Sequence, residues 1–99
     1  MGDVNALNKK GFTILMEAAM RNRCDIIRKL VEMKCNLDAY SVKGSTALML
    51  AVKKGNLEAA KALIEAGASA KCVDNRQRGL DHYARKVQNL EMKEFVIKV

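Results

Sequence analysis

The sequence predicts an all-α fold in which similar helix-turn-helix units stack side by side. One observation is a repeated segment: Gly11–Ala18 reads Gly-Phe-Thr-Ile-Leu-Met-Glu-Ala and returns at Gly44–Ala51 as Gly-Ser-Thr-Ala-Leu-Met-Leu-Ala. The other is that residues beyond this segment keep the same offset, for example Leu30 with Leu63. A fixed period, here of about 33 residues, is typical of arrays whose units bury their apolar faces only against their neighbours.

The period divides the chain of 99 residues, which we predict to be one domain, into units. Residues 7–39 and 40–72 are predicted to be full units, residues 73–99 a shortened third unit, and residues 1–6 the tail of a preceding unit. The third unit departs from the pattern at Asp81, which falls where the second unit has Leu48. We expect such a change in a terminal unit, because it has no neighbour to cover its apolar face.

Each unit is predicted to contain a hairpin-like loop and two short helices. Asn22 and Gly55 fall between the helices of their units, where a left-handed backbone is often needed. Gly67 ends a second helix, but its counterpart is Lys34, for which a left-handed conformation costs roughly 1 kcal/mol. Apolar spacing predicts that the buried residues of the first unit are Leu15, Ala18 and Ala19 in one helix and Ile26, Ile27, Leu30 and Val31 in the other.

The pattern Thr-x-Leu-x-x-Ala, which begins at Thr13 and again at Thr46, resembles the signature of the ankyrin-repeat family. The resemblance covers nearly the whole chain. It implies a solenoid of helix-turn-helix units joined by β-hairpin-like loops, with protein binding as the function, without catalysis and without a cofactor.

The sequence departs from the Thr-Pro-Leu-His tetrad of that family at two positions. Proline is replaced in every unit, so the dihedral angle that it fixes at a helix start is lost. Histidine is replaced by methionine, which fills the space but cannot link neighbouring units through the hydrogen bonds of histidine. We therefore expect the array to be less stable than one that keeps the proline and the histidine. The replaced positions are Ile14, Ala47 and Leu80 for proline, and Met16 and Met49 for histidine.

The few candidate reactive residues do not predict catalysis or metal binding. The three cysteines are an odd number, and no signal peptide or long apolar run is present, so we predict an intracellular chain without disulfides or a membrane span. No Cys or His pair has the spacing of a zinc site. Asp81 stands beside His82, but adjacent helical residues diverge by about 100°. We predict a structural or surface histidine and a monomeric protein that is not an enzyme.

The net charge of +7 is predicted to lie mostly on one side of the stack. The hairpins and first helices line the concave face of ankyrin arrays. The acidic residues that we assign to this face are only Glu17 and Asp74. The second helices and the turns after them are balanced. A solvated face that merely keeps the protein soluble is the plain alternative. The basic residues of the predicted face are Lys9, Lys10, Arg21, Lys43, Lys53, Lys54, Arg76, Arg78 and Lys86.

Apolar residues interleave with these cations and are predicted to be exposed or half-exposed. Apolar anchors inside a cationic rim indicate a surface that binds an acidic, partly apolar peptide or protein. Two alternatives stay open: binding of a polyanion such as nucleic acid or an anionic membrane, and an architectural segment of a larger protein. The predicted apolar residues are Phe12, Met20, Tyr40, Val42, Leu50 and Tyr83.

The resemblance also implies a modification site. Asp3-Val4-Asn5-Ala6 precedes the first Thr-x-Leu-x-x-Ala pattern. It resembles the hairpin context in which asparaginyl hydroxylases modify ankyrin proteins, with Asn5 as the modified residue.

Overall fold

The computed structural model describes residues 4–99, which contain six α-helices and no strand. Residues 1–3 of the predicted repeat tail lie outside this range. The helices occur in pairs, and each helix of a later unit starts one repeat period after its equivalent, so the all-α repeat fold is confirmed. The helices are α1 (Ile14–Met20), α2 (Cys24–Glu32), α3 (Ala47–Lys53), α4 (Leu57–Ala66), α5 (Leu80–Lys86) and α6 (Leu90–Lys98).

The helices form two layers. In one layer α1 packs on α3 and α3 on α5, and in the other α2 packs on α4. Each first helix also packs on the second helix of its own unit. The described chain is elongated, with extents of 40 × 27 × 20 Å. Alanines at the contacts, among them Ala19, Ala51 and Ala60, are fully buried and let the helices approach closely.

Threonine caps begin α1 and α3. The Thr13 hydroxyl accepts a hydrogen bond from the backbone N–H of Met16 at 3.2 Å, and the Thr46 hydroxyl accepts one from that of Met49 at 3.3 Å. The sulfur of Met16 in turn accepts from the backbone N–H of Thr13 at 3.4 Å. The prediction that this methionine only fills space was therefore wrong, because its thioether also completes the cap.

Asparagines connect neighbouring units through hydrogen bonds. The side-chain amide of Asn56 donates to the carbonyl oxygens of Ala19 and Met20 at 2.8 and 2.9 Å. The Asn22 side chain accepts from the backbone N–H of Ala59 at 3.1 Å. These bonds satisfy backbone groups at the ends of α1 and α4, and thus link the units without the tetrad histidine.

The left-handed turns predicted from the repeat are confirmed. Asn22 has φ 56° and Gly55 has φ 73° between the helices of their units. Lys34 has φ 58° and Gly67 has φ 106° after the second helices. Lys34 therefore holds a conformation that a residue with a Cβ adopts only at a cost.

The outer side of the first unit exposes positions that are buried elsewhere. Ile26 was predicted to be buried, but it is 39% exposed, whereas its equivalents Ala59 and Met92 are inaccessible. Ile14 is likewise 53% exposed although its equivalent Ala47 is buried. The prediction for Ile26 was wrong because burial at this position comes from the preceding unit, and residues 4–99 place no unit there.

The opposite end of the stack carries an ion pair on the outward side of α5. Asp81 and Arg85 of α5 are exposed and their side chains lie 3.2 Å apart. Their equivalents in α3, Leu48 and Val52, are buried. The repeat phase thus continues into α5, where two polar residues replace buried apolar ones. None of the helices in residues 4–99 has the length and apolar character that crossing a membrane requires.

Candidate functional site

One polar side chain at the same place in each hairpin shapes the loops that carry most of the predicted site. Asn8, Ser41 and Asp74 occupy equivalent repeat positions, and each accepts hydrogen bonds from the backbone N–H groups two and four residues further on. Each also donates its own N–H to the carbonyl four residues ahead. The local sequence therefore folds three equivalent tips, from which Lys9, Lys10, Lys43 and Arg76 extend into solvent.

Two of the nine predicted cations are neutralised by neighbours on the same face. Arg21 lies 3.7 Å from Glu17, and Arg78 lies 2.8 Å from Asp74. In residues 4–99 the other seven have no ion-pair partner within 4.0 Å. We call these seven the basic surface: Lys9, Lys10, Lys43, Lys53, Lys54, Arg76 and Lys86.

Asp74 is buried at the base of the third hairpin and organises it. Its carboxylate accepts hydrogen bonds from the backbone N–H groups of Arg76 and Arg78, the Arg78 guanidinium and the Tyr83 hydroxyl. Burial raises the pKa of this carboxyl, but the four hydrogen bonds outweigh it and hold the pKa well below its usual range. Arg78 also stacks over the Tyr83 ring, 5.5 Å from its centroid. This cluster is structural, and it removes Arg78 from the free cations.

Two predicted apolar anchors do not lie on the surface. Tyr83 is only 5% exposed, because its ring packs in the core and its hydroxyl donates to Asp74. Burial and the adjacent carboxylate raise the pKa of Tyr83. Leu50 is 6% exposed and belongs to the core cluster, in which α3 packs against α1, α4 and α5. The predicted exposure of both residues was wrong, because both side chains pack into the core between the helices.

The other predicted apolar residues reach the surface to different degrees. Tyr40 is 56% exposed and Val42 is 64% exposed on the second hairpin. Phe12 and Met20 are half-buried and pack against the core. Val73 was not among the predicted residues, but it is 43% exposed. It could have been found, because it is the repeat equivalent of Tyr40.

The structure brings part of the basic surface together around one groove. A cleft of about 430 Å³ between the second and third hairpins is lined by Lys43, Lys53 and Arg76, together with Arg78 and the buried Tyr83. Lys53 and Lys54 lie at the end of α3, whereas Lys86 ends α5. Lys9 and Lys10 lie on the first hairpin, away from this cleft.

The residues considered for other chemistry do not assemble. Asp81 pairs with Arg85, and the His82 ring meets the edge of Tyr83 with the centroids 5.2 Å apart. Cys24, Cys35 and Cys72 are free thiols. Burial raises the pKa of Cys35, which disfavours its reactive thiolate. Among residues 4–99, no three His, Cys, Asp or Glu side chains lie together in a way that could hold a metal ion.

Comparison with known proteins decides the family. The sequence profile of ankyrin repeats, in three copies, matches residues 1–76. The chain belongs to the ankyrin-repeat family. Ankyrin repeats are typical protein-interaction modules, and the family is non-catalytic.

Relatives share ankyrin repeats with this chain over part of its length. It is 42% identical over 66 residues to the mouse (Mus musculus) ankyrin repeat and SAM domain-containing protein 6, and 41% identical over 66 residues to the rat (Rattus norvegicus) protein of that name. These matches cover 66% of this chain and 8% of each relative. It is 39% identical over 51 residues to the regulatory protein NPR1 of Arabidopsis thaliana, which covers 52% of this chain and 9% of the relative. The chain thus corresponds to a small fraction of each relative.

Proposed function

We propose that this ankyrin-repeat chain is an interaction module whose basic surface binds an acidic, partly apolar peptide or protein surface. The observation that carries the proposal is the charge left on the predicted face after ion pairing: seven of its nine cations have no acidic partner within 4.0 Å in residues 4–99, and Tyr40 and Val42 are exposed beside them. Apolar contacts inside a charged rim are the usual composition of a binding surface. The family supports the same class of function.

Binding would begin with electrostatic steering and end with apolar contact. The basic surface raises the rate of encounter with an acidic partner, and this contribution weakens with salt. Tyr40 then supplies the main apolar contact, because it is the exposed aromatic residue closest to Lys43 along the chain. Leu50 and Tyr83 have no part in this, because their side chains are committed to the core.

A polyanion is the second candidate, and the same density of unpaired cations favours it. Phosphate binding releases counterions, so affinity falls steeply with salt and depends little on nucleotide sequence. A peptide complex anchored by Tyr40 would retain more of its affinity. A salt series with a random single-stranded oligonucleotide and with a captured protein partner distinguishes the two.

Affinity capture with matched variants tests the proposed surface. The triple variant Lys43/Lys53/Lys54→Glu reverses the charge at the centre of the basic surface, and Lys61→Glu makes the same change on the exposed side of α4. We expect the partner to be lost with the triple variant and retained with Lys61→Glu. Tyr40→Ala should weaken its binding by on the order of 2 kcal/mol.

The opposite result would overturn this assignment. If Lys61→Glu abolishes binding while Tyr40→Ala and Lys53→Glu leave it unchanged, the ligand uses the second helices.

An intracellular location remains part of the proposal, because three free thiols suit a reducing compartment.

Hydroxylation of Asn5 also remains a proposal. The Asn5 side-chain oxygen accepts a hydrogen bond from the backbone N–H of Asn36 at 2.7 Å, which links the loop before the first hairpin to the turn after α2. Treatment of the chain with an asparaginyl hydroxylase should add the mass of one oxygen atom at this residue. A peptide mass that stays unchanged would contradict the proposal.

A further inference from the structure

A second groove adjoins the basic cleft on the hairpins. It has a volume of about 560 Å³ and runs between the second and third hairpins. Its exposed apolar side chains are those of Tyr40, Val42 and Val73. The exposed polar residues Asn75 and Gln77 also line it, together with Gly44. We call it the apolar groove. We call the cleft of Lys43, Lys53 and Arg76 the basic groove.

The two grooves share one wall. Val42 and Asn75 line both of them, whereas the other lining residues belong to only one groove. The wall is held in place from both hairpins: the Asn75 backbone N–H donates to the carbonyl of Lys43 at 3.2 Å, and its side-chain amide donates to that of Val42 at 3.5 Å. The two grooves therefore keep a fixed position relative to each other.

The second and third hairpins also pack closely against each other along this wall. Separating them would lose this packing. A Cβ atom at Gly44, which has φ +82°, would lie 2.8 Å from the backbone nitrogen of Asn75. Contacts this close require glycine. Both grooves are thus formed before a ligand arrives, which lowers the entropic cost of binding.

The charges of the two grooves differ. In the basic groove Lys43, Lys53 and Arg76 have no ion-pair partner within residues 4–99. In the apolar groove the one acidic side chain, Asp74, is buried and satisfied by its hydrogen bonds. A carboxylate is therefore favoured on one side of the wall and an apolar side chain on the other.

We propose that the two grooves together bind an extended peptide in which an acidic residue and a large apolar residue are adjacent. Successive side chains of an extended chain point to opposite sides. A peptide that lies along the Val42–Asn75 wall therefore sends one side chain into each groove. This inference rests on the proposed function and makes it more specific, because it fixes the types and the spacing of the residues recognised.

Selection from a displayed library of random peptides tests the proposal directly. The full chain is the target, and the selected peptides are synthesised with a fluorophore for anisotropy titrations. We expect them to share an Asp or Glu next to Leu, Ile, Met or an aromatic residue. Two exposed positions separate the grooves, because Lys53 lines only the basic groove and Val73 only the apolar groove. The variants are Lys53→Ala and Val73→Ser, with Lys61→Ala as a control on α4 and thermal unfolding as a check on folding.

Double-mutant cycles then assign each peptide side chain to a groove. Replacing the peptide acid with its amide should couple to Lys53→Ala by about threefold or more, and replacing the apolar residue with Ala should couple to Val73→Ser by a similar factor. The crossed pairs should be additive within about twofold. Lys61→Ala should not change the Kd.

The contrary outcomes separate this inference from the function on which it rests. If selected peptides depend on Lys53 but not on Val73, the paired-groove inference is wrong and the basic surface stands. If they depend on neither residue, nor on the charge reversal of Lys43, Lys53 and Lys54, both proposals fail. If no peptide is selected while a random oligonucleotide binds and is lost with Lys53→Ala, the surface binds polyanions and the peptide site is overturned.

Discussion

Lys34 has a left-handed backbone conformation that favours glycine. It has φ 58° at the end of α2, where the next unit has Gly67 with φ 106°. Lys34→Gly should raise the free energy of unfolding by roughly 0.5 to 1 kcal/mol, because glycine adopts this conformation without strain. Urea unfolding measures the change. Lys34→Ala is the control, since it removes the side chain and keeps the strain, and a destabilised glycine variant would contradict the argument.

Asp74 makes stability depend on pH. Its pKa in the folded chain lies below the value of about 3.9 expected in the unfolded chain, so the folded state favours the carboxylate. This stabilisation is present above that unfolded value and is lost as the pH falls below it, toward the lower folded pKa. Asn8 makes the same turn bonds with an amide oxygen. Asp74→Asn should therefore keep the hairpin and lose only the bonds to the Arg78 and Tyr83 side chains.

The test compares wild type and Asp74→Asn by urea unfolding at pH 7 and pH 3. At pH 7 the variant should be less stable by about 1 to 3 kcal/mol, which is typical of a lost hydrogen bond to a buried charge. The difference should narrow at pH 3. A difference that stays constant or grows would show that the carboxylate is not the source of the stability.

Each unit begins with a first helix, α1, α3 or α5. Of these three helices, α5 alone has no threonine cap. Gly79 stands at the N-cap, where α1 and α3 have Thr13 and Thr46, and no side chain caps its first turn. Its φ of −104° is open to any residue, and a Cβ atom there would meet its neighbours at ordinary distances of 3.4 Å or more. The fold therefore has room for the missing cap.

Gly79→Thr should raise the free energy of unfolding by about 1 kcal/mol, because the hydroxyl would accept a hydrogen bond from the backbone N–H of His82. Gly79→Ala is the matched control, since it reduces the entropy of the unfolded chain without adding a cap. Thermal or urea unfolding of the two variants separates these effects. A threonine variant no more stable than the alanine variant would show that the cap does not form.

Over residues 4–99, the stack has two unlike ends. The outer side of the first unit exposes Ile14 and Ile26, whereas α5 presents the Asp81–Arg85 ion pair at its outward positions. Polar residues such as Asp81 and Arg85 suit an outer face that no further unit covers. One repeat position can also differ between units: Ile26 is 39% exposed, whereas its equivalent Ala59 is fully buried.

Matched substitutions at one repeat position reveal this difference. Ile26→Gln should change the free energy of unfolding by about 1 kcal/mol or less, because the side chain is already partly in water. Ala59→Gln introduces a larger, polar side chain at a fully buried position and should cost on the order of 3 kcal/mol or more. Chemical unfolding of both variants provides the measurement. Equal costs would mean that Ile26 is covered in solution.

Features that depend on local conformation and on the repeat could be predicted from the amino-acid sequence. The repeat period predicted the paired helices, and the glycine and asparagine positions predicted the left-handed turns, Lys34 included. These features follow from backbone sterics and side-chain spacing within a few residues. The positions of the basic residues on hairpins and helix ends were also predictable, because the repeat phase assigns each residue to an element.

Which of these residues are available for binding depends on the packing of the units. Leu50 and Tyr83 lie on the predicted face but are covered by neighbouring units, and Ile26 has the apolar pattern of a buried residue but no unit beside it in residues 4–99. The sequence predicts Arg78 to be a cation available for binding, but its charge is neutralised by an ion pair with the buried Asp74. Exposure depends on what packs against a residue from elsewhere in the chain, and the phase of a repeat does not contain that information. The Asp74–Arg78 pair is only four residues apart, but the burial of Asp74 and its bonds to Arg78 and Tyr83 are seen only in the structure.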